Sequence, residues 1–86
     1  MFIVYVLQSR RERSLYVGYT TDLKQRIETH NQGRVTSTKF KVPWKLIFAE
    51  AYSSQNDALR REKYLKTSQG KNALRHMLRE TLKIES

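Results

Sequence analysis

The 86-residue chain carries 17 Lys and Arg against 8 Asp and Glu, which gives a formal net charge of +9 at pH 7. A chain of this length buries one core, so we predict a single domain over residues 1–86. No apolar run approaches the roughly 20 residues that a membrane-spanning helix needs. The absence of cysteine excludes disulfides and thiolate metal sites. We therefore expect a small, basic, cytoplasmic globule without membrane association.

Two strands are predicted in the first 20 residues. Residues 2–8 are apolar on both alternating faces, which favours a central strand covered on each side. One face carries Ile3, Tyr5 and Leu7, and the other carries Phe2, Val4 and Val6. A polar loop, residues 9–14, leads to a second strand at residues 15–19. An antiparallel hairpin is the simplest connection between them.

A helix and a third strand follow. Thr21 is the predicted N-cap, Asp22 suits the first turn, and Gly33 is the expected C-terminal stop. The next segment, residues 33–42, is a polar and basic loop that Pro43 ends. The sequence "WKLIFAEAY" then predicts a strand over residues 44–52.

Two further helices are predicted, over residues 55–67 and 71–83, with Gly70 breaking the pattern between them. The last helix has an apolar face made of Ala73, Leu74, Met77, Leu78 and Leu82, and a basic face made of Lys71, Arg75, Arg79 and Lys83. The order β-β-α-β-α-α predicts an α+β fold, in which three helices flank a small three-stranded sheet of the antiparallel type.

The charge favours nucleic acid as the partner, because phosphate neutralisation supplies much of such affinity. The alternative is a surface that merely keeps the protein in solution. The basic residues lie inside periodic segments and not in a disordered tail, so the nucleic-acid interpretation is preferred.

Five residues form a candidate catalytic set: Tyr5, Tyr16, Arg26, His30 and Glu62. Each has an ordinary structural interpretation, since strand tyrosines usually pack and Glu62 could pair with nearby lysines along its helix. Arg26 and His30 stand four residues apart and so share a helix face. Together the set matches metal-assisted phosphodiester cleavage, which needs a base, a cation for the developing charge and a metal-binding carboxylate. Gly18 would let a substrate or the next helix approach closely.

The chain resembles the GIY-YIG nuclease superfamily over nearly its whole length. Ile3-Val4-Tyr5 and Tyr16-Val17-Gly18 stand where the two family triplets occur, "DLKQRIETHNQG" resembles the helix after the second triplet, and "ALRREKYLK" resembles the helix with the metal-binding glutamate. The chain is most similar to small stand-alone bacterial members of unassigned biology.

The resemblance implies a role for each residue of the set. Tyr16 would activate the attacking water, and Tyr5 would position the water or the scissile phosphate. Arg26 would bind that phosphate, and His30 would orient or deprotonate a catalytic group. Glu62 would bind a single Mg²⁺ or Mn²⁺, a hard cation that accepts one carboxylate together with phosphate and water oxygens.

Two positions depart from the family pattern. Tyr19 stands where many active members have Lys, and Asn72 is a candidate for a late family Asn, although its spacing is short. The expected nucleic-acid contacts are Gly18, Thr20, Lys24, Asn31, Lys39 and Lys66. For the polar residues near the first helix, the alternative is a solvated role at the helix end.

The leading hypothesis is a metal-dependent endonuclease, structure-specific in DNA repair or recombination. The alternative is a DNA- or RNA-binding protein that retains the nuclease fold without catalysis. A protein-interaction adaptor that docks an acidic partner is the third hypothesis. DNA is preferred over RNA, and we expect a monomer whose specificity is low or supplied by another protein.

Overall fold

Three strands and three α-helices occur in the predicted order in the computed structural model, which describes residues 1–83. The last residues of the predicted 1–86 domain, 84–86, lie outside this described part. The strands are β1 (Phe2–Ser9), β2 (Leu15–Thr20) and β3 (Trp44–Tyr52), and the helices are α1 (Leu23–Asn31), α2 (Gln55–Leu65) and α3 (Ser68–Met77). A 3₁₀ turn at Lys39–Lys41 interrupts the basic loop. The predicted α+β class is confirmed.

The sheet has the order β2-β1-β3, and both pairings are antiparallel. The first strand is therefore central, as its apolar residues on both faces predicted. Within the hairpin, Tyr5 lies opposite Gly18 and Leu7 lies opposite Tyr16. Tyr5 and Tyr16 are consequently diagonal neighbours on one face of the sheet.

Each face of the sheet has its own core. One face packs against α2 and α3 through the apolar residues Val4, Val6, Val17, Ala58, Leu65, Leu74 and Leu78. The other face packs against α1 through Tyr5, Leu7 and Trp44, joined by Tyr16, Leu23 and Ile27. We call these the apolar face and the α1 face. The alternation of β1 residues sets this division, because successive side chains point to opposite faces.

The first helix begins one residue later than predicted. Asp22, and not Thr21, is the N-cap, and its carboxylate accepts a hydrogen bond from the Gln25 backbone N–H at 3.1 Å. Thr21 is exposed. None of the helices within residues 1–83 has the length and apolarity that crossing a membrane requires.

The prediction that Gly70 breaks the chain between the last two helices is wrong. Thr67 caps α3 by accepting a hydrogen bond from the Gly70 backbone N–H at 3.0 Å, so this glycine lies in the first turn. A Cβ at this position would lie 2.6 Å from the Leu65 Cα and closer still to the Tyr64 carbonyl oxygen. The glycine therefore allows α3 to pack against the end of α2. Leu74 is buried, as the predicted apolar face of α3 requires. Met77 was assigned to the same face, but its side chain is 44% exposed.

Candidate active site

The α1 face carries an aromatic and polar cluster drawn from three elements. Tyr5 comes from β1, Tyr16 from β2 and His30 from α1. The ring centroids of Tyr5 and Tyr16 lie 6.4 Å apart, and the Tyr16 ring lies 4.9 Å from the His30 ring in an edge-on arrangement. The structure therefore brings both predicted tyrosines and the predicted histidine together.

Gly18 makes room for Tyr5 and not for a substrate. A Cβ at Gly18 would lie 2.8 Å from Cε1 of Tyr5 and closer still to the ring carbon that bears the hydroxyl. Gly18 is itself buried. The expectation that this glycine opens the site to nucleic acid or to the next helix is corrected accordingly, since the Tyr5 ring fills the space.

A buried hydrogen-bond chain connects Tyr5 to the basic loop. The Tyr5 hydroxyl lies 2.8 Å from Nε2 of His30, and Nδ1 of His30 lies 2.9 Å from Oγ1 of Thr38. All three side chains have 0% relative exposure. The Thr38 hydroxyl donates to the Val35 carbonyl at 3.3 Å. Since a hydroxyl has a single proton to donate, Nδ1 of His30 donates to Thr38 and Nε2 accepts from Tyr5.

The shifted pKa values of Tyr5 and His30 keep this hydrogen-bond chain uncharged. Burial, followed by the positive charge of Arg26, lowers the pKa of His30 from its ordinary value of 6.5 to about 4. Burial raises the pKa of Tyr5, and hydrogen bonding to Arg26 partly opposes that rise. Tyr5 is therefore a neutral phenol that donates to a neutral imidazole. His30 cannot take a proton from Tyr16 in this arrangement, because its acceptor nitrogen is occupied by Tyr5.

Arg26 and Tyr16 form the accessible part of the cluster. Both are partly exposed, in contrast to Tyr5 and His30. Hydrogen bonding to Tyr5, and the smaller influence of Tyr16, raise the pKa of the Arg26 guanidinium. A permanently charged guanidinium next to two phenols is suited to bind a phosphate and to stabilise a phenolate.

Glu62 on α2 completes the candidate set. Burial is the main cause of the raised pKa of Tyr5, and the negative charge of Glu62 is the smallest of the influences that raise it. The Glu62 side chain is 20% exposed, and its Oε2 lies 3.2 Å from Nζ of Lys66 in an ion pair. The helix-surface ion pair considered from the sequence therefore forms. No group of three or more His, Cys, Asp or Glu side chains suited to a metal occurs within residues 1–83.

The other predicted nucleic-acid contacts separate into two groups. Lys24 and Lys39 are exposed, and the Lys39 ammonium lies 4.9 Å from the centre of the Phe40 ring. Thr20 has a structural use, because its hydroxyl accepts from the Asp22 backbone N–H at 3.1 Å. Lys66 pairs with Glu62, as described above.

Asn31 likewise has a structural use. Its side-chain oxygen accepts from the Trp44 backbone N–H at 2.6 Å, and its side-chain nitrogen donates to the Trp44 carbonyl at 3.1 Å. Asn31 therefore ties the end of α1 to the start of β3. These two hydrogen bonds give Asn31 a role in the fold, and its contact with phosphate stays a prediction.

The two departures from the family pattern lie away from the cluster. Tyr19 packs on the apolar face, where its ring stacks on Phe2 at 6.5 Å, and its hydroxyl accepts from Nε2 of Gln55 at 3.2 Å. Asn72 is exposed on α3. A residue at position 19 of this chain therefore points to the opposite side of the sheet from Tyr16.

Thr38 and Trp44 belong to the site and were missed by sequence reasoning. The Trp44 indole N–H donates to the Thr38 carbonyl at 3.0 Å, and its ring lies 6.2 Å from Tyr16. A threonine in a polar loop carries no local signal of burial, because the loop folds back onto α1 only in three dimensions. The one available signal was Trp44 itself, a large aromatic residue directly after that loop.

Comparison with known proteins identifies relatives along most of the chain. Residues 1–75 match the GIY-YIG catalytic domain family. A UPF0213 protein of Bacillus licheniformis is 40% identical over 74 residues, which cover 85% of this chain and 75% of that protein. A UPF0213 protein of Staphylococcus haemolyticus is 43% identical over 65 residues, or 74% of this chain and 78% of that protein. The solution NMR structure of a UPF0213 protein from Bacillus halodurans is similar with a TM-score of 0.56 at 32% identity, covering 90% of this chain and 85% of that one.

Proposed function

The chain belongs to the GIY-YIG catalytic domain family, whose members are generally nucleases, and we propose that it is a metal-dependent endonuclease that hydrolyses phosphodiester bonds. The observation that carries this proposal is the cluster of Tyr5, Tyr16 and His30 on the α1 face, whose ring centroids lie 6.4, 5.9 and 4.9 Å apart in pairs, beside the partly exposed Arg26. These side chains come from β1, β2 and α1. The pKa values of Tyr5, Arg26 and His30 are shifted, and titratable groups with shifted pKa values that meet in one place are commonest at functional sites.

In the proposed reaction, Arg26 binds the scissile phosphate and stabilises the charge that develops on its oxygens. Tyr16, the accessible phenol, takes the proton of the attacking water directly or through a hydrogen bond. The positive charge of Arg26 would favour Tyr16 in this role. A rate that rises with pH in the alkaline range is the expected signature of a phenol that acts as the base.

Tyr5 and His30 act as positioning residues in this mechanism. Both are fully buried, so neither touches water or phosphate in the described conformation. The chain from Tyr5 through His30 to Thr38 fixes the rings against which Tyr16 and Arg26 lie. The earlier assignment of Tyr5 to direct positioning of water or phosphate is replaced by this indirect role.

Glu62 is the residue that would hold the divalent ion, Mg²⁺ or Mn²⁺. A partly exposed carboxylate with one oxygen paired to a lysine suits such an ion, because the lysine is half exposed and can move aside. Substrate oxygens and water would complete the coordination, as Mg²⁺ commonly requires. When bound, the ion would polarise the phosphate and stabilise the leaving oxygen.

The proposed substrate is nucleic acid, with DNA preferred over RNA, and the net charge of +9 supports this choice. Structure-specific cleavage in repair or recombination, with a protein partner that adds specificity, is part of the proposal. We further propose that residues 1–86 form one domain and that the protein is a cytoplasmic monomer. A non-catalytic nucleic-acid-binding protein of the same fold is the second candidate, and the Glu62–Lys66 ion pair is the observation that favours it.

The test is cleavage of labelled single-stranded, double-stranded and branched DNA with Mg²⁺, with Mn²⁺ and with a chelator. We expect strand cleavage that requires the ion and that Glu62→Gln abolishes, while DNA binding is unchanged or slightly tighter. Glu28→Gln, which removes an exposed carboxylate on α1, is the matched control. Cleavage that survives in Glu62→Gln rules out the ligand assignment. Binding without cleavage by the unmodified protein favours the second candidate.

A further inference from the structure

Three arginines surround a depression of about 400 Å³ on the apolar-face side of the hairpin end. Arg13 comes from the β1–β2 loop, and Arg75 and Arg79 come from α3 and the turn after it. The rest of the wall consists of Gln8, Ser14, Leu15 and Leu82. We call Arg13, Arg75 and Arg79 the hairpin arginine site.

The charge of this site is not balanced by its described walls. Among residues 1–83, its lining contains no Asp or Glu. A smaller depression of about 270 Å³ shares Gln8 and Arg13 and adds Arg10 and Lys45, again without a carboxylate. Like charges that converge without a counter-charge repel one another, so a bound anion would stabilise the arrangement.

Hydrogen bonds to backbone carbonyls use only some of the N–H groups of Arg13 and Arg79. One Arg79 nitrogen donates to the His76 carbonyl at 2.7 Å, and one Arg13 nitrogen donates to the Leu82 carbonyl at 3.4 Å. A guanidinium offers several further N–H donors in a planar fork that matches phosphate oxygens. The contacts at the end of α3 therefore leave donors available for an anion.

The backbone of Arg13 is an independent indication. Its φ of +65° lies in the left-handed region, where Gly or Asn is the usual residue. An arginine at this turn position is strained, and strain of this kind is commonest where a side chain has a function. The loop would close more readily with glycine, so the arginine side chain is the feature that needs an explanation.

The hairpin arginine site is separate from the candidate active site. Leu15 and Leu82 pack with the apolar cluster, whereas Tyr5 and Tyr16 belong to the α1 face. The two tyrosines of the active site therefore lie on the opposite face of the sheet from the hairpin arginine site, and Glu62 is not among the residues that line that site. A nucleic acid that fills the active site can reach the arginines only with a second segment of its backbone.

We propose that Arg13, Arg75 and Arg79 form a second binding site for nucleic-acid phosphates, which holds a segment of the substrate backbone remote from the scissile bond. The inference rests on the proposed function for the identity of the anion. It adds a second contact that extends the bound length of the substrate beyond the active site. It also explains how a small domain can select substrates that reach both faces of its sheet.

The test is DNA binding measured by fluorescence anisotropy across a salt series, with a chelator present so that no cleavage occurs. The probes are a duplex longer than the 39 Å molecule and a short single strand that can fill one site only. The variants are Arg13→Gly and the double variant Arg75→Gln/Arg79→Gln. The control is Arg60→Gln/Lys63→Gln, which removes the same net charge from α2, away from this depression.

We expect the double variant to lower the slope of log affinity against log salt by about 2 for the duplex, because each lost phosphate contact contributes about 0.9. Binding of the short strand should change no more than in the control. Arg13→Gly should weaken duplex binding while its Tm stays equal or rises, since glycine relieves the strained turn. If Arg13 served only the fold, Arg13→Gly would instead lower the Tm.

Equal losses in the site variants and in the control would overturn the proposal, because the effect would then be one of net charge. Unchanged duplex binding in the site variants would overturn it as well. Absence of DNA binding by the unmodified protein would end both this inference and the nucleic-acid function. Binding that depends on the arginines without any cleavage under Mg²⁺ or Mn²⁺ would remove the nuclease function and leave the second site standing.

Discussion

The two faces of the central strand are built from different chemistry. On the apolar face, Val4 and Val6 are fully buried against aliphatic side chains of α2 and α3. On the α1 face, Tyr5 from the same strand is equally buried but ends in the hydrogen-bond chain to His30 and Thr38. Among the described residues, no buried side-chain nitrogen or oxygen lacks a hydrogen-bond partner.

The comparison separates stability from orientation. Burial of aliphatic side chains contributes stability without fixing a direction, because the hydrophobic effect is non-directional. Buried hydrogen bonds contribute less net stability but fix the angle and the tautomer of each group. We infer that the apolar face holds the fold together and that the α1 face orients Tyr16 and Arg26.

The largest effect on stability is expected from Leu65→Ala on the apolar face. Leu65 is fully buried, so the change removes apolar burial and leaves a cavity, at a cost of about 2–5 kcal/mol in the free energy of unfolding. The matched control is Leu59→Ala on the same helix, where the side chain is 40% exposed and the cost should be below about 1 kcal/mol. Urea denaturation measures both. Equal costs would mean that this face is not the main core.

A pH-dependent loss is expected from His30 on the α1 face. Between pH 6.5 and about 4 the unfolded chain binds a proton on His30 that the native state does not bind. Above pH 6.5 protonation of His30 costs the native state no stability. As pH falls through this window, the free energy of unfolding falls, by at most about 3 kcal/mol in total.

The measurement is the free energy of unfolding against pH for the unmodified protein and for His30→Gln. The variant lacks the titrating group and should lose the part of the slope that lies in this window. Identical slopes in the two proteins would show that His30 is not buried as a neutral group. Carboxylates that titrate in the same range are common to both proteins and therefore cancel in the comparison.

A smaller effect is expected from Thr38→Val. Valine keeps the shape of the side chain but leaves Nδ1 of His30 without its acceptor, which should cost about 1–3 kcal/mol. Thr36→Val, at an exposed position of the same loop, is the control and should be nearly neutral. Stability and cleavage rate should fall together in Thr38→Val if the hydrogen-bond chain from Tyr5 to Thr38 orients the site. A loss of stability with an unchanged rate would confine Thr38 to the fold.

The smallest effect is expected from Lys66→Gln, which breaks the Glu62 ion pair. The lysine side chain is 50% exposed, so the pair should contribute no more than about 0.5 kcal/mol. Thermal unfolding should therefore change little, as it should in the neighbouring control Lys63→Gln. A clearly larger loss in Lys66→Gln would support a structural role for Glu62 in place of the metal ligand.

Features of the fold that depend on neighbouring residues in the sequence were predicted correctly. The order of the elements, the range of β3 at Trp44–Tyr52 and the division of β1 residues between two faces follow from alternation and turn residues. The Gly70 prediction failed because glycine usually ends a helix, whereas here close packing on the Leu65 backbone requires it inside one. Sequence spacing contains no information on that contact.

The candidate site was predicted as a set of residues but not as an arrangement. Tyr5 and Tyr16 lie together on one face of the sheet, but spacing in the sequence did not show that the Tyr5 hydroxyl is buried against His30. Thr38 was missed because its burial depends on the fold of the basic loop over α1. Contacts between residues distant in sequence, such as Tyr5 and His30, determine which of the two phenols is accessible.

The division of roles between the two tyrosines is tested most directly by single-turnover DNA cleavage in Tyr16→Phe and Tyr5→Phe at saturating Mg²⁺ or Mn²⁺, across the alkaline pH range. Tyr16→Phe should lose about 10²–10⁴-fold in rate together with the alkaline rise, because it removes the proposed base. Tyr5→Phe should lose about tenfold or less and keep the pH profile, because it removes hydrogen bonds to His30 and Arg26 but leaves the proposed base in place. Equal and mild losses in both folded variants, or a larger loss in Tyr5→Phe, would contradict Tyr16 as the reacting phenol.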